Sequence, residues 1–189
     1  LLPTNGAQSL VILVAVVLGL SLPLTPVQIL WVNLVTAVTL SLALAYEPAE
    51  PGIMDRPPRS PREPVLSRPS LLVVSWASLL IGGATLGVYI VEKQLGAGDG
   101  LAQTSAVTML ALGQTAFLFS CRFLGGSSLT PRVLTGNRVV WLAVGALLAL
   151  QLVFTYAPFM HTWFDSAPIG ARDWGLTLAV AVVVFLLCE

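Results

Sequence analysis

Six stretches of this chain are apolar almost without interruption, and each is close to the length of a bilayer-crossing helix. They run at about residues 4–22, 26–46, 70–92, 103–123, 138–157 and 173–188. A helix needs roughly 20 apolar residues to cross the hydrocarbon core. The runs are continuously apolar and do not alternate as in a membrane barrel. The expected fold is therefore all-α, a polytopic membrane bundle of six transmembrane helices. The whole of 1–189 would form a single transmembrane domain, a piece of a longer polypeptide. Only 10% of the 189 residues are charged, while 56% are hydrophobic. A soluble domain carries about 25% charged residues. With nine Lys+Arg against nine Asp+Glu, bulk charge gives no reason to expect a nucleic-acid partner. The same composition excludes a disordered chain.

The placement of those charges predicts an orientation. Seven of the nine basic residues fall in two connections: Arg56, Arg59, Arg62 and Arg68 after the second run, and Arg122, Arg132 and Arg138 after the fourth. Lys93 and Arg172 lie at the opposite ends of the helices. The positive-inside rule puts the seven in the cytoplasm, along with the amino end and Glu189. Trp163 and Trp174 then fall near the outer interface. Cys121 and Cys188 fall near the reducing inner side, where free thiols are expected. The connection at 47–69 holds seven of the 13 prolines. It reads as an extended, stiff cytoplasmic loop. Gly83 and Gly87 have the spacing that lets helices approach closely, and Gly113 and Gly145 read the same way.

Polar groups inside a membrane are expensive, so their positions carry the functional signal. The first two runs hold the densest set. Asn5 and Gln8 are three residues apart in the first, and Asn33 and Thr36 are three apart in the second, which also contains Gln28 and Thr39. Pro23 and Pro26 tighten the turn between them, which predicts antiparallel neighbours with facing polar sides. Amide and hydroxyl oxygens are hard ligands suited to alkali or alkaline-earth cations. Interhelical hydrogen bonding that merely holds the bundle together accounts for the same pattern. Gln114 and Gln151, isolated in later runs, read as structural contacts, and His161 reads as a surface histidine. No nucleophile–base pair or glycine-rich phosphate loop is present, and no Asp or Glu occurs from Leu1 to Tyr46.

The run Pro26-Val-Gln-Ile-Leu-Trp-Val-Asn-Leu-Val-Thr36, with Glu47-Pro48 and Gly52-Ile-Met-Asp-Arg-Pro-Pro-Arg59 beyond it, resembles the type II P-type cation-transporting ATPases, of which the calcium pumps are members. Asn5-Gly-Ala-Gln8 matches a further polar stretch of that family. The resemblance covers the chain as the family's carboxyl-terminal helices five to ten, although the later helices match only in number and spacing. It implies a share in ATP-driven transport of a metal cation, calcium or a monovalent ion. ATP and Mg2+ would act in cytoplasmic domains upstream, together with an Asp that is phosphorylated. The lipid bilayer, the upstream domains and the cation would be the partners, and the plasma (inner) membrane the location.

Residue by residue, the resemblance implies that Asn5, Gln8, Asn33 and Thr36 are metal ligands, with Ala37 at another ligand position. It also implies a locally unwound stretch near Asn33–Thr36. Calcium pumps carry acids at the positions of Gln8 and Ala37 and near Gly113. All three are uncharged here, and two divalent charges in a low dielectric need carboxylates nearby. A single cation helped by an acid upstream on helix four, a monovalent ion or a proton-coupled cycle is compatible with the neutral set. A freestanding six-helix transporter or scaffold without ATP chemistry is the alternative.

Overall fold

The computed structural model describes residues 2–46, 68–121 and 138–188. Among them the chain is all-helical. The helices are α1 (Leu2–Val17), α2 (Pro26–Ala45), α3 (Arg68–Gln94), α4 (Asp99–Cys121), α5 (Arg138–Tyr156), α6 (Pro158–Phe164) and α7 (Ala171–Cys188). Arg68–Gln94, Val139–Tyr156 and Ala171–Cys188 are long and apolar enough to cross a bilayer. Six helices thus appear where apolar runs predict them, with ends moved by a few residues. The expected loop at 47–69 lies outside the described residues up to position 67. Its last two members, Arg68 and Pro69, open α3, where a proline in the first turn loses no helical hydrogen bond.

α4 is the centre of the bundle. It packs against α3, α7, α2 and α5. Every residue from Thr104 to Ala116 is buried. This explains its composition: a helix wrapped by protein faces no lipid, so it tolerates Thr104, Ser105, Thr108, Gln114 and Thr115. The threonine hydroxyls fold back onto carbonyls one turn earlier, as Thr108 Oγ1 does on Thr104 O at 2.8 Å. Gln151 of α5 donates to Thr108 Oγ1 at 3.0 Å. That bond joins α4 to α5, as expected of a structural contact. His161 Nε2 sits 2.9 Å from Thr155 O.

α1 packs chiefly on α3 and not, as the tight turn suggested, on α2. Small residues make this close approach. A Cβ added at Gly82 would come within 3.1 Å of Ala7 O, and one at Gly6 within 2.5 Å of Ser78 Oγ. Ser78 Oγ also donates to Pro3 O at 3.2 Å. Gly83, Gly87 and Gly145 face open space, so the GxxxG pair plays no part in this packing. Gly113 does pack tightly, its missing Cβ lying 3.1 Å from Ile81 Cγ2. Spacing alone identified a glycine-rich helix but selected the wrong face of it.

The short helix α6 has no counterpart among the apolar runs. It begins at Pro158, with Ala157 extended at its N-cap, and ends at Asp165 in the left-handed conformation with φ 52°. With the residues up to Gly170 it forms the connection from α5 to α7.

Candidate cation site

The two polar helices meet at one bond. Gln8 Nε2 donates to Asn33 Oδ1 at 2.9 Å. Gln8 is 5% exposed, although an open groove of about 550 Å3 runs beside it, lined by Ser9, Ile12, Leu13, Val16, Val17 and Ile29. The bond uses one donor and one acceptor of the amide pair. Gln8 Oε1 has no hydrogen-bond partner among the described residues. Thr4 shares the buried face of α1 with Gln8. Asn5, one turn before Gln8, is exposed.

Thr36 is buried beside this pair on α2, and its hydroxyl donates to Val32 O at 2.6 Å. Thr39 does the same to Val35 O at 2.7 Å. The expected unwinding near Asn33–Thr36 is absent: α2 is one uninterrupted helix from Pro26 to Ala45. No Gly or Pro interrupts residues 27–45, and helical carbonyls that also accept threonine hydroxyls are doubly satisfied. β-branching alone is too weak to break a packed helix. The oxygens this stretch offers are therefore those of side chains.

Gln114, expected from the sequence to be a structural contact, makes no side-chain hydrogen bond among the described residues, from either Nε2 or Oε1. It is 3% exposed. A buried amide without partners costs about 1–3 kcal/mol and calls for an explanation. It shares a face of α4 with Gln103, Val107 and Leu110, spaced at helical intervals. Gln103, at the start of that face, donates from Nε2 to Leu22 O in the α1–α2 turn at 2.9 Å. Ala111 clusters with Val35, and Leu118 with Ala43. α2 and α4 therefore run parallel, with Gln114 level with Val38 and Thr39, two to three residues beyond Thr36. The signal in the sequence was the lone amide itself. What a sequence does not reveal is whether such an amide has a partner.

Gln8 and Asn33 are thus joined by their amides, Thr36 lies one turn further along α2, and Gln114 lies on α4, which packs against α2. Among the described residues, no three His, Cys, Asp or Glu side chains come together. The donor set is neutral and oxygen-rich, which suits a hard cation and not a soft transition metal.

The chain matches the family described as "Cation transporting ATPase, C-terminus" over residues 21–189. It belongs to that family, as the carboxyl-terminal membrane region of a P-type cation-transporting ATPase. It is 41% identical over 187 residues to the probable cation-transporting ATPase F of Mycobacterium tuberculosis, across 97% of this chain and 20% of that protein. To the calcium-transporting ATPase of Bacillus subtilis it is 36% identical over 189 residues, across 99% of this chain and 21% of the other. To the cation-transporting ATPase pma1 of Synechocystis it is 32% identical over 183 residues, across 94% and 20% respectively. The chain therefore spans about a fifth of the length of these curated relatives. It is the membrane region of a cation-transporting ATPase.

Proposed function

We propose that this chain is the ion-translocating half of an ATP-driven pump, crossing the bilayer six times with its amino end and Glu189 in the cytoplasm of an inner or plasma membrane. The transported cation passes among α1, α2 and α4, liganded by Gln8, Asn33, Thr36 and Gln114. Asn5, the remaining ligand expected from the sequence, stands exposed on α1 one turn before Gln8. ATP and Mg2+ act in domains upstream. The 47–69 segment connects α2 and α3 to them, and 1–189 is one transmembrane domain of the longer chain. The observation that carries this reading is the buried, unpartnered amide of Gln114 on α4, the helix that packs against the Asn33-bearing α2. Cation coordination would supply the partner that the amide lacks.

The neutral donor set bears on the ion. Amide and hydroxyl dipoles bind a cation but leave its charge uncompensated, which a low dielectric penalises steeply for a divalent ion. One cation per cycle is the reading this supports: a monovalent ion, or one calcium aided by a carboxylate from an upstream helix beside the open α1–α2 groove.

The test is the ATPase activity of the full-length pump across Ca2+, Na+, K+, Mn2+ and Mg2+. One of these ions is expected to activate it, and Gln8→Ala and Asn33→Ala should weaken that activation. Activation curves identical to wild type in both variants would show that the ion binds elsewhere.

A further inference from the structure

The outer end of α2 is held by a contact that the ion site does not use. Thr25 and Gln28 form a reciprocal cap: Gln28 N donates to Thr25 Oγ1 at 3.3 Å, and Thr25 N donates to Gln28 Oε1 at 3.1 Å. Either Gln or Glu at the fourth position completes such a cap, and an acid there would suit the helix dipole better. The amide has a second task that an acid lacks the proton to perform. Gln28 Nε2 donates to Phe164 O at 2.9 Å. That carbonyl belongs to the last residue of α6, and Gln28 is fully buried where the bond forms.

One turn further along α2, Trp31 strengthens the same junction. Its ring stacks on Phe154 at 5.8 Å and 19°, and meets the edge of Phe164 at 5.5 Å and 60°. Phe154 and Phe164 are themselves 5.8 Å apart. Trp31 Nε1 is buried without a partner, so the indole is held by its ring and not by its N–H. The α5–α7 connection is thus fastened to α2 at residues 28 and 31. Asn33 lies about 7.5 Å and Thr36 about 12 Å further along the same unbroken helix. A helix without a hinge carries a shift at one end to the other.

We propose that Gln28 is a positioning residue for cation binding. Through its bond to the Phe164 carbonyl it sets the depth and rotation of α2, and so holds Asn33 opposite Gln8. This rests on the proposed site, and ties the external connection to the affinity of that site. Loss of the bond lets α2 turn or slide, which weakens binding without touching the chemistry upstream.

The experiment uses the full-length pump, with ATPase activity titrated against its activating cation. Gln28→Glu keeps the acceptor for Thr25 N and removes the donor to Phe164. Gln28→Met is neutral and close in volume, which keeps the test open should the buried carboxylate prevent folding. The cation concentration for half-activation should rise about fivefold to tenfold, as expected for one lost hydrogen bond. The rate at saturating cation should stay within about twofold of wild type. A fall in thermal stability with unchanged half-activation would overturn the proposal, leaving Gln28 a structural residue only. So would a lower saturating rate at unchanged half-activation. Gln8→Ala and Asn33→Ala run beside them: a shift in these two but not in the Gln28 variants removes the positioning role alone. No shift in any of the four removes the site itself.

Discussion

Gln8 and Asn33, separated by 25 positions in the chain, are joined by a 2.9 Å hydrogen bond between their side-chain amides. It links α1 to α2 where the two helices otherwise pack little. Two amides that share a bond and, on the proposed function, a ligand should be coupled. In a double-mutant cycle with Gln8→Ala and Asn33→Ala, the effects on cation affinity should fall short of additivity by about 1 kcal/mol. Titration of the four proteins with the activating cation measures this. Strict additivity would mean that the bond and the binding are unrelated.

The two buried glutamines of the later helices should behave in opposite ways. Gln151→Leu breaks a bond to Thr108 and should lower stability by about 0.5–1 kcal/mol while leaving cation affinity alone. Gln114→Leu breaks no bond and relieves a buried unsatisfied amide. It should leave stability unchanged or raise it by about 1 kcal/mol, while cation affinity falls. Thermal unfolding in detergent, paired with cation titration, separates the two.

Glycine positions on α3 give a test of the packing. Gly82→Ala places a Cβ 2.9 Å from Leu10 Cδ2 and 3.1 Å from Ala7 O. The backbone oxygen cannot swing aside, so a loss of about 1–3 kcal/mol is expected. Gly83→Ala meets nothing within 4 Å, and should be neutral or stabilising by up to about 1 kcal/mol through helix propensity. The same unfolding assay decides, and a reversed order would contradict the α1–α3 interface.

Tyr89 fastens the α1–α2 turn to α3 through a 2.6 Å contact between its hydroxyl and Ser21 Oγ. Tyr89→Phe should lower stability by about 1 kcal/mol or less, because exposed Ser21 regains water as a partner. Cation affinity should not change.

Much of this was legible beforehand, and what was not has physical causes. Apolar run length located α1 to α5 and α7 to within a few residues, because the cost of leaving backbone groups unpaired in lipid leaves few options. It did not reveal α6, which is too short to register as a run and is marked only by Pro158. Run length also says nothing about neighbours: α1 lies on α3 because Gly6 and Gly82 allow it, a fact of three dimensions. The polar faces located Gln8 and Asn33, which a hydrogen bond joins, while Asn5 shares the spacing of Gln8 but not its burial. Gln114 looked like Gln151 in sequence. The difference, a partner for one and none for the other, appears only when the helices are packed. Gln28 stood out only as one more polar residue of α2, since its partner is a backbone carbonyl 136 positions away.

The central claim is that a cation binds among α1, α2 and α4 on neutral side chains. Equilibrium binding of the activating cation to the purified full-length pump tests it most directly, with Asn33→Leu and Gln114→Leu beside wild type. The account predicts a single cation per pump and an affinity at least about tenfold weaker in each variant, with folding intact. Undiminished binding in both folded variants would contradict it.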